Sequence, residues 1–186
     1  MSAASDPRAR RWAPIVAVVA TIAALTVGGR VAATIARDAV PATVGVDGVA
    51  TIEPPPGWTE NVEARRGDGA SQRFVLTKGS AIVAVTAVED AEVAAPTLAA
   101  RYRLALEERA IHLVWTRLEP VAVGGLPGVR FSYGGLTSRA GDVEGVVTVA
   151  VSPGGSGLIL DGVAPEGALA AVAGDLAAMA EGAHIG

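Results

Sequence analysis

Cysteine is absent from this sequence, lysine occurs once, histidine twice, and aromatic residues make up 4% of its 186 positions. The lack of cysteine excludes a disulfide framework, a thiol nucleophile, a zinc–thiolate centre and a lipid-modified cysteine anchor. The two histidines, His112 and His184, leave little material for a catalytic relay or a histidine-rich metal site. With so few rings the core has to be built from Ala, Val, Leu and Ile, and hydrophobic residues do reach 51%. Lys78 stands alone against fourteen arginines. With the abundant Ala, Val and Gly, that ratio is a signature of GC-rich coding and carries no function.

Charge is unevenly placed. Residues 1–47 hold five Arg against three Asp, a net of +2, while residues 48–186 hold ten bases against sixteen acids, a net of −6. An acidic body lacks the basic face that nucleic acid requires, so no nucleic-acid partner is expected.

The one long uncharged run is residues 12–29, from Trp12 to Gly29. Its 18 residues make roughly 27 Å of helix at about 1.5 Å per residue, close to the bilayer's hydrocarbon core of about 30 Å. Arg8, Arg10 and Arg11 precede it, and the positive-inside rule then keeps the N-terminus cytoplasmic. Trp12 suits the interface, and Pro14 falls in the first turn, where its missing N–H costs little. The expected organisation is a cytoplasmic tail (1–11), a transmembrane anchor (12–29), a linker (30–47) and an extracytoplasmic domain (48–186). The protein is then a single-pass protein of the cell membrane. An alternative stays open: small residues at Val31-Ala32-Ala33 suit cleavage of a secretory signal near Ala33, with Arg30 counting against it.

Periodicity sets the rest. Residues 49–53 alternate and end at Pro54-Pro55-Pro56-Gly57, ahead of Trp58, read as a buried anchor. Strands are expected over 73–77 and 81–89, joined by Lys78-Gly79-Ser80. The second is apolar on both faces, which predicts a central strand covered twice. Pro96 opens a helix to Ile111 with Leu98, Tyr102, Ala105 and Leu106 on one face. A strand over 112–123, interrupted near Pro120, leads to the glycine-rich turn 124–128. Val129, Phe131 and Tyr133 alternate as a half-buried strand, and 134–142 reads as a polar loop. Strands 143–151 and 158–163 form a second hairpin. Pro165 opens a last helix with Leu169, Val172, Leu176 and Met179 in one stripe. The class is α+β, a mainly antiparallel sheet with two packed helices behind one N-terminal transmembrane helix.

The opening strand, Pro56-Gly57-Trp58, the hairpin, the helix and Val123-Gly124-Gly125-Leu126-Pro127-Gly128-Val129-Arg130-Phe131-Ser132-Tyr133 resemble the PsbP/Mog1-type fold over about residues 48–186. The nearer relatives would be actinobacterial exported proteins of the LpqN/LpqT kind. The resemblance implies a curved antiparallel sheet carrying helices, and an accessory, binding or chaperone-like role more often than an enzymatic one. Many lipoprotein members carry an anchoring cysteine; here an apolar helix stands in its place.

Local motifs give no chemistry. Ser156 lies between glycines, but Leu158 breaks the G-x-S-x-G pattern. No phosphate-binding glycine loop is present. Arg66-Gly67-Asp68 reads as a chance tripeptide in a charged loop. Glu89, Asp90 and Glu92 lack calcium-loop spacing and suit a helix N-terminus instead. No catalytic residue, metal or cofactor is expected. Trp58, Arg130 and Tyr133 are the candidate binding residues, and Trp115 and Tyr102 read with Trp58 and Tyr133 as core or pocket lining. The functional expectation is a non-catalytic accessory protein that binds another envelope protein or envelope component. The alternatives are a chaperone-like module, or an envelope hydrolase using His112.

Overall fold

Alternating side chains build an eight-stranded antiparallel sheet in the computed structural model, which describes residues 43–46, 48–61, 73–108, 110–137 and 141–186. The expected membrane span, the tail before it and Arg66-Gly67-Asp68 lie outside these residues. Among the described residues no helix is long and apolar enough to cross a membrane.

The strands are β1 (Val44–Val46), β2 (Ala50–Ile52), β3 (Thr59–Glu60), β4 (Arg73–Lys78), β5 (Ala81–Val88), β6 (Ala110–Trp115), β7 (Glu119–Val123), β8 (Leu126–Thr137), β9 (Gly141–Val151), β10 (Gly157–Pro165) and β11 (His184–Ile185). The helices are α1 (Ala95–Glu107) and α2 (Ala173–Glu181). The main sheet runs β3-β4-β5-β10-β9-β8-β6. β8 is long enough to pair with β7 along its first half and β6 along its second. A small sheet, β1-β2-β11, ties the start of the domain to its C-terminus.

Strand alternation gives the sheet two apolar faces. On one, Ile82, Ala84 and Val88 of β5 pack with Phe131, Val147, Ile159 and the Leu98–Tyr102–Leu106 side of α1. On the other, Ala81, Val83, Val85 and Ala87 meet Trp58, Phe74, Leu160, the small sheet, and Val172 and Met179 of the last helical segment. β5 is buried at every position, as a doubly covered strand must be. Thr86 is the flaw in it: its Oγ1 is buried with no hydrogen-bond partner. Thr86→Val keeps the shape and removes that cost, so it is expected to stabilise the domain by about 1 kcal/mol. Urea denaturation with an unchanged midpoint would refute this.

Five boundaries differ from expectation. Pro165 does not open the last helix: it pairs with Val143 as the end of β10, and α2 begins at Ala173. α1 stops at Glu107, because the 3.6-residue period ends at Leu106; from Ala110 the period is two, with Leu113 and Trp115 turned toward the core. The stretch 134–142 is mostly strand. Gly134 and Gly135 read locally as turn residues, yet β6 pairs against them, and pairing overrides propensity. β7 carries Pro120 because it pairs on one side only, with β8. β1 falls inside the stretch read as linker, since Val44 and Val46 bury into the core.

The C-terminus is docked. Gly186 N–H donates to the Val49 carbonyl at 2.8 Å, and Ser152 Oγ donates to the Gly186 carbonyl at 3.1 Å. Gly124, between β7 and β8, has φ +55° and donates its N–H to the Ala180 carbonyl at 3.0 Å.

Candidate functional site

The sequence candidates separate on the fold. Trp58 and Tyr133 are buried on opposite faces of the sheet, 3% and 6% exposed. Tyr133 is therefore turned into the core and not toward a contact surface, because it shares its strand face with Phe131. Arg130 lies on the other face of β8, exposed, and pairs with Glu119 at 3.1 Å. The three residues do not converge.

Trp58 holds α2. Its indole N–H donates to Asp175 Oδ2 at 2.8 Å, and Lys78 Nζ donates to the same oxygen at 2.7 Å and to the Pro56 carbonyl at 3.2 Å. The Lys78 hydrogen bond is the main reason the Asp175 carboxyl sits below its ordinary range, with the indole adding to it. The single lysine is thus a clamp between the proline-rich loop and the last helix.

Tyr133 belongs to a buried polar cluster that spacing did not reveal. Asp161, in the middle of β10, has no exposed surface. Tyr102 of α1 donates to its Oδ2 at 2.6 Å, and Tyr133 donates to its Oδ1 at 3.0 Å. Burial pushes the Asp161 carboxyl from 3.8 up to about 6, while the two tyrosine hydrogen bonds pull it down. Burial, then the nearby Asp161 charge, raises the Tyr133 hydroxyl well above its ordinary value. The flanking Cα partners of Asp161 are Ala84 and Val147, so no base faces it from either neighbouring strand. Tyr133 sits two strands away, across β9. Strands are about 4.8 Å apart, so its ring has to lie flat over the intervening strand, and Gly145 is the residue directly opposite it there. A Cβ at 145 would overlap the Tyr133 ring. Gly145→Ala is expected to push the ring aside and cost about 2 kcal/mol; unchanged thermal unfolding would show that the ring has room. The signal that could have flagged this cluster was an aspartate inside the apolar run Leu158–Val163.

The open feature lies on the other face. β9 and β8 present Val146, Thr148, Arg130 and Ser132 there, and α2 covers only part of it. The result is a groove of about 450 Å³ between this face, Val121 of β7 and Leu176 of α2. Beyond it the same face continues through Gly134 and Leu136 of β8 to Val114 and His112 of β6 by register. Val114 is 62% exposed and Leu136 39%, two of the four large exposed apolar side chains among the described residues. The Arg130–Glu119 pair is itself exposed, so it holds the guanidinium weakly, at about 0–1 kcal/mol.

Neither histidine lines the groove beside α2. His112 is exposed on β6 and His184 on β11, in separate sheets. No group of three or more His, Asp or Glu suited to a metal ion occurs among the described residues. Ser156 is a hairpin-loop residue: its N–H donates to Ser152 Oγ, and its carbonyl accepts the Ser152 N–H.

Two helices on a mainly antiparallel sheet define a PsbP-like α+β fold. The chain is similar to the solution structure of cyanobacterial PsbP (CyanoP) from Synechocystis sp. PCC 6803, with TM-score 0.55 and 14% identity over 79% of this chain and 95% of that one. It is likewise similar to LpqN of Mycobacterium tuberculosis, a protein involved in cell envelope biogenesis, with TM-score 0.54 and 12% identity over 77% of this chain and 88% of that one. No family model matches the sequence, and no curated protein matches it. At these identities the likeness is one of fold.

Proposed function

We propose that this chain is a membrane-anchored binding protein of the cell envelope. Residues 12–29 span the membrane once, residues 1–11 stay in the cytoplasm, and the folded domain outside engages another envelope protein or component without catalysing a reaction. The observation that carries the reading is the groove between α2 and the open face of β8 and β9, where half-buried Val146 and Leu176 lie beside exposed Arg130. The fold shared with LpqN, a protein of envelope biogenesis, supports the compartment. Arg130 is the proposed contact residue, with Trp58 holding α2 in place beside the groove and Tyr133 backing the sheet from its other side.

Three measurements test this. A reporter fused after Gly186 should be active only if it works outside the cytoplasm; activity of a cytoplasmic reporter there would overturn the topology. Intact mass of the mature protein should show residues 1–33 retained; their loss would make the protein secreted. A pull-down from detergent extract should recover a partner that Val146→Asp, on the groove floor, releases. A partner that survives this substitution in a folded variant would move the site elsewhere. The chaperone-like alternative needs a broad apolar surface, whereas this groove has charged margins at Glu119, Arg130 and Glu181.

A further inference from the structure

We infer that the groove beside α2 receives an amphipathic helix of a partner protein, apolar along the stripe it buries and carrying Lys or Arg at that stripe's margins. The inference deepens the binding reading above and rests on it.

The geometry selects a helix over a strand. A strand adds to a sheet by pairing with a free edge. The groove floor is the face of β8 and β9, whose backbone groups are already spent: β9 lies between β10 and β8, and β8 between β9 and the β6–β7 pair. What this surface offers an incoming segment is side-chain packing. A helix laid beside α2 would complete the layer that α2 begins, as sheet faces in two-layer folds are covered. The α2 side that lines the groove is Ala173, Leu176, Ala177 and Ala180. Small side chains there let a second helix approach to about 8–10 Å between axes. Along the sheet, Val146, Gly134 and exposed Val114 and Leu136 extend the apolar surface, with Ser132, Glu144 and His112 between them on the same face.

The charge selects the margins. Glu119 and Glu181 line the groove, and Glu144 stands on the same face, accepting the Leu169 N–H at 2.7 Å. Asp142 follows Glu144 on that face and is exposed. Among the described residues the one base lining the groove, Arg130, already faces Glu119. A floor whose apolar side chains, Val121, Val146 and Leu176, are interrupted by Ser132, Thr148 and Arg130, and whose margins are acidic at Glu119 and Glu181, complements a helix with basic margins and repels an anionic lipid surface. Chain length keeps the partner near the bilayer. Fourteen residues, 30–43, separate the proposed anchor from β1, a reach of at most about 50 Å at 3.3–3.6 Å per residue, and β1 packs in the same cluster as Met179 and Ala180 of α2.

The test uses the full-length chain in dodecyl maltoside, with p-benzoylphenylalanine in place of Ala173, exposed at the groove, or in place of Glu107, exposed on α1. Three 18-residue peptides are offered: a Leu/Lys helix of 3.6-residue period, its Leu/Glu counterpart, and a Leu/Lys peptide of strict two-residue period. The expected result is an adduct from position 173 with the Leu/Lys helix, at least tenfold above the other two peptides and above position 107. Ala177→Arg should lower it tenfold, and Glu181→Lys about threefold while raising the Leu/Glu adduct. Both sites are on the surface, and matching thermal melts would exclude misfolding. Equal adducts with both charge types, a stronger adduct with the two-residue-period peptide, or none at all would overturn the helix assignment. Irradiating cells that express the same chains separates the two readings. Adducts at 173 that map to a non-helical or acidic segment, or to a lipid, leave the binding reading standing without the helix. No adduct at 173 in peptides or cells removes both.

Discussion

Asp161→Asn is expected to raise the stability of the domain at pH 8 by about 3 kcal/mol at most and to leave it unchanged at pH 4. The reason is a carboxyl with no exposed surface and, among the described residues, no cation beside it, held by two tyrosine hydroxyls. Its folded value of about 6 lies above its ordinary 3.8. Between those values the folded state binds more protons than the unfolded state, so stability falls as pH rises. The favourable contribution is complete below about pH 4 and is lost as pH climbs through 6. The size follows from roughly two units at 1.36 kcal/mol each. Asparagine imitates the protonated acid, offering a carbonyl to one tyrosine and an amide N–H to the other. Denaturant midpoints from pH 4 to 8 should therefore slope downward for the native chain and stay flat for the variant. Parallel curves would mean that another group, or water reaching Asp161, sets the profile.

Gly124→Ala is expected to cost about 3 kcal/mol or more, a larger loss than that of Gly145→Ala, because two penalties coincide. The residue has φ +55°, which an L side chain adopts only at a cost, and a Cβ there would overlap the Ala183 carbonyl oxygen. That oxygen is backbone and cannot swing away as a side chain would. The strain would lift the turn between β7 and β8 off the C-terminal segment and break the Gly124–Ala180 hydrogen bond. Calorimetry should show the midpoint falling by about 10 °C or more if the domain behaves as a two-state unit of about 140 residues. A shift of only a degree or two would show that the C-terminal segment moves freely. Val123 is fully buried beside this turn, so the loss should also reach the groove through β7.

Much of the architecture was legible. The apolar alternation of β5, the Leu98–Tyr102–Leu106 side of α1 and the buried Trp58 are all properties of local spacing, and each appears where the period placed it. The misreadings share a cause. Gly134, Gly135 and Pro120 signal turns by their own conformational preferences, and partner strands overruled them. Tyr133 offers a ring and a hydroxyl that suit a surface as well as a core. Its neighbours across the sheet decided for the core.

By itself the sequence determined the class of fold, the alternation of strand faces and the acidic character of the domain, because each depends on residue type and nearest-neighbour period. Tertiary structure alone decided the buried carboxyl cluster and the groove. Asp161 meets Tyr102 across 59 residues and Tyr133 across 28, through a strand order of β5-β10-β9-β8 that no local pattern encodes. The groove exists because α2, with nine residues, is too short to cover the face that β8 and β9 extend beside it, and coverage is a relation between elements that residue order does not state.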